Sequence, residues 1–216
     1  MDLSMRGIIA KTGAVLEGDY FFALKSGKIS TKYINIDPLL TYPGLVRSIG
    51  GELIKPFLRE CDAIVGPAVG GIPFVYAAAT ALMIHDMKRD IRTAFAEKLP
   101  DGSFVFDRME FSRAVLGRRV VAVEDITTSG GSVGAVVDLA RAAGATVIGV
   151  STIWNRGPAT AERLRIPQFH VLVNEPVETW EAPAHPRWGE LPLVSDVGHP
   201  EHFPNYGGGT IRLLAA

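Results

Sequence analysis

Four short runs of almost unbroken apolar residues recur along this chain: "DAIVG" at 62–66, "RRVVAVED" at 118–125, "ATVIGVSTIW" at 145–154 and "FHVLVN" at 169–174. Between them lie stretches with helical spacing. Runs this short, apolar on both faces and separated by amphipathic segments, describe strands of a parallel sheet covered by helices on both sides. The connections are then right-handed crossovers, and ligands bind beyond the carboxyl ends of the strands.

The helical stretches fit this scheme. Residues 44–59 place Leu45, Val46, Ile49, Leu53, Ile54, Phe57 and Leu58 on one face, with Pro56 bending or ending the helix. Residues 70–84 form a second helix, with Pro73 in its first turn, where a missing N–H costs nothing. A strand is expected at 92–98 ("RTAFAEK"), a loop or flexible hairpin at 99–113, a helix from Gly131 to Ala143 stopped by Gly144, and a short helix at 158–165. The segment 175–206 holds six prolines and no period, and it reads as an irregular extension rather than a second domain. The expectation is one domain over 1–216, with a small N-terminal hood at 1–43 and a Pro-rich C-terminal extension at 175–216.

Composition narrows the function. The 22 Lys and Arg against 23 Asp and Glu leave a net charge of −1, too little for a global field that gathers nucleic acid or an anionic membrane. The longest mostly apolar run, 72–84, is shorter than the ~20 residues of a membrane span. No signal peptide is read at the N-terminus, and the single cysteine, Cys61, suits a reducing compartment as a buried structural thiol. A cytoplasmic location is expected.

The chemistry concentrates at "VVAVEDITTSGGS", residues 120–132. A turn rich in glycine and hydroxyls, leading into a helix, aims backbone N–H groups at one point near the positive end of the helix dipole. Its natural ligand is a phosphate. Two carboxylates beside it, Glu124 and Asp125, suit a polyol one sugar-length away, because ionised acids accept hydrogen bonds from vicinal hydroxyls. Phosphate with a vicinal diol describes a ribose 5-phosphate. No Gly-x-Gly-x-x-Gly occurs, and "GPAVGGI" at 66–72 lacks the Lys and Ser/Thr of a Walker loop.

This stretch resembles the phosphoribosyl pyrophosphate (PRPP) motif of type I phosphoribosyltransferases: a hydrophobic strand, two acids, two residues, then Thr-x-Gly-Gly-Ser. Two further segments resemble the orotate phosphoribosyltransferases, "FALKSGKISTKYIN" at 22–35 and "TIWNRG" at 152–157, and "IVGPAVGGIP" at 64–73 resembles their pyrophosphate loop. The resemblance runs in order over about residues 8–175. It implies the type I phosphoribosyltransferase fold and the conversion of PRPP and orotate to orotidine 5′-monophosphate and pyrophosphate. It also implies Mg2+ bound mainly through PRPP and water, and a homodimer.

The resemblance implies these roles. Thr128, Ser129, Gly130, Gly131 and Ser132 cradle the 5′-phosphate. Glu124 and Asp125 hold the ribose hydroxyls and stabilise an oxocarbenium-like transition state. Ala68, Val69, Gly70 and Gly71 offer amides to pyrophosphate; several orotate enzymes carry Lys where this chain has Gly70. Lys25 sits near the base and PRPP, Ser26 shapes its loop, and Tyr33 faces the base or packs. Arg156 reads the orotate carboxylate with its planar fork. In the family a mobile basic loop, often acting in the partner subunit's site, covers the pyrophosphate. Here 97–108 offers Lys98, with Arg108 as a second cation, and no histidine.

Three rivals stay open. "GGSVG" at 130–134 fits the Gly-x-Ser-x-Gly elbow of hydrolases, with Ser132 as nucleophile. The chain also fits a non-catalytic PRPP-sensing regulator, or the same transfer to another base. The tail histidines, including "HPEH" at 199–202, read as satisfied or exposed side chains rather than a metal site.

Overall fold

The computed structural model describes residues 4–213. The outermost residues of the expected hood and extension lie outside them. In chain order the elements are α1 (Met5–Ala10), β1 (Val15–Ala23), β2 (Ile29–Ile34), α2 (Asp37–Leu40), α3 (Pro43–Ile54), β3 (Ala63–Pro67), α4 (Ile72–His85), β4 (Arg92–Lys98), β5 (Phe104–Val105), α5 (Met109–Val115), β6 (Arg119–Thr127), α6 (Gly131–Ala142), β7 (Thr146–Asn155), β8 (Phe169–Asn174), β9 (Leu193–Val194) and β10 (Thr210–Ile211). They fall into two compact units, one of residues 4–6 and Ile36–Pro176, the other of Gly7–Asn35 and residues 177–213. No helix among the described residues is long and apolar enough to cross a membrane.

The larger unit is built on a six-stranded sheet in the order β5-β4-β3-β6-β7-β8. Every pairing is parallel except the short antiparallel β4–β5. This is the mainly parallel, helix-flanked sheet that the apolar runs call for. Side chains alternate along each strand. Val120 and Ala122 of β6 join Val133, Val136, Val137 and Ala140 of α6, with Val115 of α5, in one buried cluster. On the opposite face α4 approaches β3 so closely that a Cβ on Gly66 would stand 2.7 Å from the Val75 side chain. There α3 packs on α4 with equal intimacy: a Cβ on Gly50 would lie 2.5 Å from the backbone of Ala77. The 3-10 turn Lys55–Phe57 ends α3 at Pro56, as expected.

Two expectations need correction. The stretch 99–113, expected as a loop or flexible hairpin, does hold the β4–β5 hairpin, but α5 begins within it at Met109 and runs to Val115. Its apolar side is short, and Phe95 of β4 packs against Phe111 with ring centres 4.7 Å apart, so tertiary contact rather than period fixes it. The helix expected at 158–165 is a run of turns, ended by Arg165 at φ 53°.

The smaller unit carries a four-stranded sheet, β10-β9-β1-β2. β1 and β2 form an antiparallel hairpin whose turn is closed by the Leu24 N–H donating to Lys28 O at 2.8 Å, with Gly27 at φ +79°. The Pro-rich tail supplies β9 and β10, so it is not wholly irregular. Phe21, Ala23 and Ile29 of the hairpin bury Ala182, Leu191 and Leu193 of the tail, with Trp180, Trp188, Phe203 and Tyr206 around them. That tail is held by aromatic contacts spaced without period, which explains why neither strand was legible.

Candidate active site

β6 runs four residues beyond its apolar core and carries both acids inside the strand. Neighbouring side chains on a strand leave on opposite faces. Glu124 follows Val120 and Ala122 onto the α6 side, where its carboxylate accepts the N–H of Val133. Burial, with Asp125 adding like charge, pushes the Glu124 carboxyl from its ordinary 4.5 up to about 8. Asp125 follows Val121 and Val123 to the other side. Its Oδ1 accepts the N–H of Ile126 at 2.8 Å. Burial raises its pKa too; the nearby Asp37 adds to the rise, and Arg156 opposes it.

The chain then turns into α6. Gly130 caps the helix at φ +82°, a conformation other residues rarely adopt, and a Cβ there would meet Leu164 at 2.7 Å. The exposed Thr128, Ser129 and Gly131 face solvent beside the helix start. These residues form one wall of a cleft of about 390 Å³, which also takes in Lys98, Phe104, Glu124, Ser132 and Arg156. Hydroxyls, amides and two cations thus surround one buried acid.

A second turn supports the first. Arg156 follows β7, its N–H donates to Thr127 O at 2.9 Å, and its Nε–H donates to Thr128 Oγ1 at 2.9 Å. Gly157 comes so near that a Cβ would stand 2.6 Å from Thr128 O. Asn155 lies buried beneath this contact. Its Oδ1 accepts the Thr127 hydroxyl at 3.1 Å, and its Nδ2 donates to Ala159 O at 3.1 Å and Asn174 Oδ1 at 3.0 Å. Asn155 carries no assigned role in the sequence; a lone amide ending an apolar strand is its signal there.

After β3, the loop Ala68–Gly71 packs against Asp125: a Cβ on Gly70 would lie 2.5 Å from Asp125 Oδ2. The Ala68–Val69 peptide is cis. The amides of Ala68 and Gly71 are already used, donating to Ala96 O at 2.8 Å and Pro67 O at 3.2 Å. Those of Val69 and Gly70 make no such backbone bond among the described residues, and Val69 is 80% exposed. A ligand beside this loop would therefore meet those two amides rather than all four.

The remaining candidates are dispersed. Lys98 lies over the Phe104 ring at 5.9 Å on the cleft wall. Arg108 does not line the cleft; its guanidinium sits over Phe95 and Phe111 at 5.8 and 5.7 Å. Lys25 and Ser26 lie in the β1–β2 turn of the smaller unit, where Tyr33 packs on Phe22 at 5.3 Å. Cys61 is buried, its thiol pushed up to about 12 by burial, and it donates to Ala63 O at 3.1 Å, which fits a structural thiol. Ser132 lies in the first turn of α6, separated from β6 by residues 128–130, so no strand-to-helix elbow presents it as a nucleophile.

Comparison with known proteins adds an independent line. A family model described as phosphoribosyl transferase domain matches residues 45–186. Orotate phosphoribosyltransferase of Caldanaerobacter subterraneus subsp. tengcongensis is 34% identical over 175 residues, covering 80% of this chain and 86% of that protein. The Thermotoga petrophila enzyme of the same name is 37% identical over 154 residues, 70% of this chain and 75% of its own. Among solved structures, orotate phosphoribosyltransferase from Aeropyrum pernix aligns with TM-score 0.56 and 25% identity, over 79% of this chain and 93% of its own.

Proposed function

This chain belongs to the phosphoribosyltransferase family, and we propose that it transfers the ribose 5-phosphate of PRPP to orotate, releasing pyrophosphate and forming orotidine 5′-monophosphate. The observation that supports this most is the single cleft that unites the glycine-hydroxyl turn, Glu124 and Arg156.

In this reading the 5′-phosphate rests on the turn from Thr128 to Ser132, against the amides at the start of α6. Glu124 and Asp125 reach the ribose from the two sides of β6. The bond from ribose C1 to the pyrophosphate oxygen breaks as the bond from C1 to the pyrimidine nitrogen forms, that nitrogen losing its proton to solvent, and positive charge gathers on the ring in the transition state. Asp125 lowers that barrier as a fixed carboxylate, while Glu124, kept protonated below about pH 8 by burial, hydrogen-bonds a ribose hydroxyl. Asp125 also abuts the Gly70 loop, which supports a role for it between sugar and leaving group. Val69 and Gly70 give amides to pyrophosphate, Lys98 adds charge, and Arg108 serves only after leaving its aromatic pair. Arg156 presents a planar fork, pre-set by Thr128, to the orotate carboxylate.

The two carboxylates diverge across the strand, and no group of three protein ligands gathers there among the described residues. That donor set fits Mg2+ held mainly by PRPP oxygens and water, not a protein cage. When bound, the ion neutralises charge on the leaving pyrophosphate. We assign the protein to the cytoplasm and to a homodimer. Tyr76, Met83, Ile84 and Met87 form an exposed stripe along α4 and just beyond it, 49–88% accessible, which a second copy would cover. Light scattering that finds only monomer would remove the dimer.

Incubation with Mg2+ and PRPP beside orotate, uracil, hypoxanthine or adenine tests the function. Orotate alone should be consumed, with equal pyrophosphate release. Consumption of another base, or PRPP binding without turnover of any, would contradict the proposal.

A further inference from the structure

The smaller unit brings three metal-binding side chains to one point. His199 precedes the 3-10 turn Pro200–His202, and His202 ends it. In such a turn residues three apart stand over one another, and Pro200 fixes the first backbone angle. The imidazoles of His199 and His202 are accordingly stacked, 5.6 Å apart and 20° from parallel. Glu201 Oε1 lies 2.9 Å from His199 Nδ1. One ligand atom from each of the three lies within 4.8 Å of the others, the only such trio found among the described residues.

We propose that His199, Glu201 and His202 form a binding site for a divalent transition-metal ion of the zinc class, sharing no residue with the cleft described above. Two imidazoles and a carboxylate are a three-ligand set that leaves a fourth position for water. Metal–ligand distances of about 2.0–2.2 Å place neighbouring tetrahedral ligands about 3.3 Å apart. The His199–Glu201 edge is already shorter than that, and rotation of the exposed His202 closes the other two. Side-chain exposures of 38% for His199 and 64% for Glu201 leave the ion a path from solvent. Nitrogen donors favour zinc, nickel or copper over Mg2+, so this is not the ion of the transfer reaction.

Two other histidines, one in β8 and one in the tail, stand outside any such cluster. His170 Nε2 meets Glu52 O at 3.1 Å, and His185 packs edge-on to Phe21 and Trp180. The trio is also fixed to its scaffold. The His199 N–H donates to Ala23 O at 2.9 Å, and Gly198, at φ +82°, passes so close that a Cβ would stand 2.5 Å from that oxygen. Ala23 ends β1 and leads directly into the turn bearing Lys25 and Ser26. On the other side Phe203 packs on Trp188 at 5.4 Å. An ion here would stiffen the stretch that braces that turn, and Trp188 fluorescence would report it.

The test is calorimetric titration of tag-free, chelator-stripped full-length protein with Zn2+, in the presence of Mg2+. One equivalent should bind, with a change in tryptophan emission. His202→Ala and His199→Ala should each weaken binding at least about tenfold, and Glu201→Gln, which keeps the shape of the side chain, should weaken it as well; circular dichroism confirms that each variant is folded. Failure of the wild type to take up Zn2+, or uptake by both histidine variants equal to the wild type, would overturn the site.

Discussion

Gly70 stands against Asp125 with no room for a side chain: a Cβ at residue 70 would lie 2.5 Å from Oδ2 and 2.9 Å from Cγ of Asp125. The loop Ala68–Gly71 and the second acid of β6 are therefore one packed unit. Gly70→Ala must push the carboxylate or the loop away. We expect kcat/KM for PRPP to fall more than about tenfold, or ~1.4 kcal/mol, with little change in melting temperature. In an Asp125→Ala background the same substitution should cost much less, because its clash partner is gone. Additive effects in steady-state kinetics of the four proteins would show that the two residues act separately.

Arg156 is positioned by its bond to Thr128; in the proposed reaction its planar fork, not its charge alone, meets the orotate carboxylate. Arg156→Lys keeps the charge and loses the planar pair of donors. The KM for orotate should rise about tenfold while that for PRPP changes less than about threefold. Varying each substrate in turn separates the two; an equal rise in both would show that Arg156 serves only to hold the phosphate turn.

Glu124 carries a pH signature. Its folded pKa, about 8, is above the ordinary 4.5. Between those values the folded chain keeps a proton that the unfolded chain releases, so the contribution falls as pH rises through this window, by up to about 1.4 kcal/mol per unit. Below it both states are protonated, and above it the penalty is constant. Glu124→Gln, which mimics the protonated acid, should melt higher than the wild type at pH 8, with the gap closing towards pH 4.5. Parallel melting curves across that range would contradict the buried, protonated acid.

The larger unit was largely legible because its strands are buried on both faces and read as continuous apolar runs; 92–98 and 169–174 were placed to the residue. α5 and the tail strands were not, since they are fixed by Phe95 on Phe111 and by Trp188 among Phe203 and Tyr206 rather than by any period. At the site, the run from Glu124 to Ser132 announced itself through residue type and order. What residue type did not carry was direction. Strand alternation sends Glu124 and Asp125 to opposite faces, and sheet bonding uses the Ala68 amide. Asn155 escaped for the same reason, because its worth lies in partners the fold brings to it, Thr127 and Asn174 from neighbouring strands and Ala159 from the following turn.

The proposed reaction needs one pocket that grips a phosphorylated ribose by both ends. A crystal structure of the protein soaked with ribose 5-phosphate tests it most directly. The account predicts the phosphate within hydrogen-bonding distance of the amides and hydroxyls of residues 128–132, with the ring hydroxyls turned towards Glu124 and Asp125. Sugar phosphate bound elsewhere, or an empty turn at saturating ligand, would contradict it.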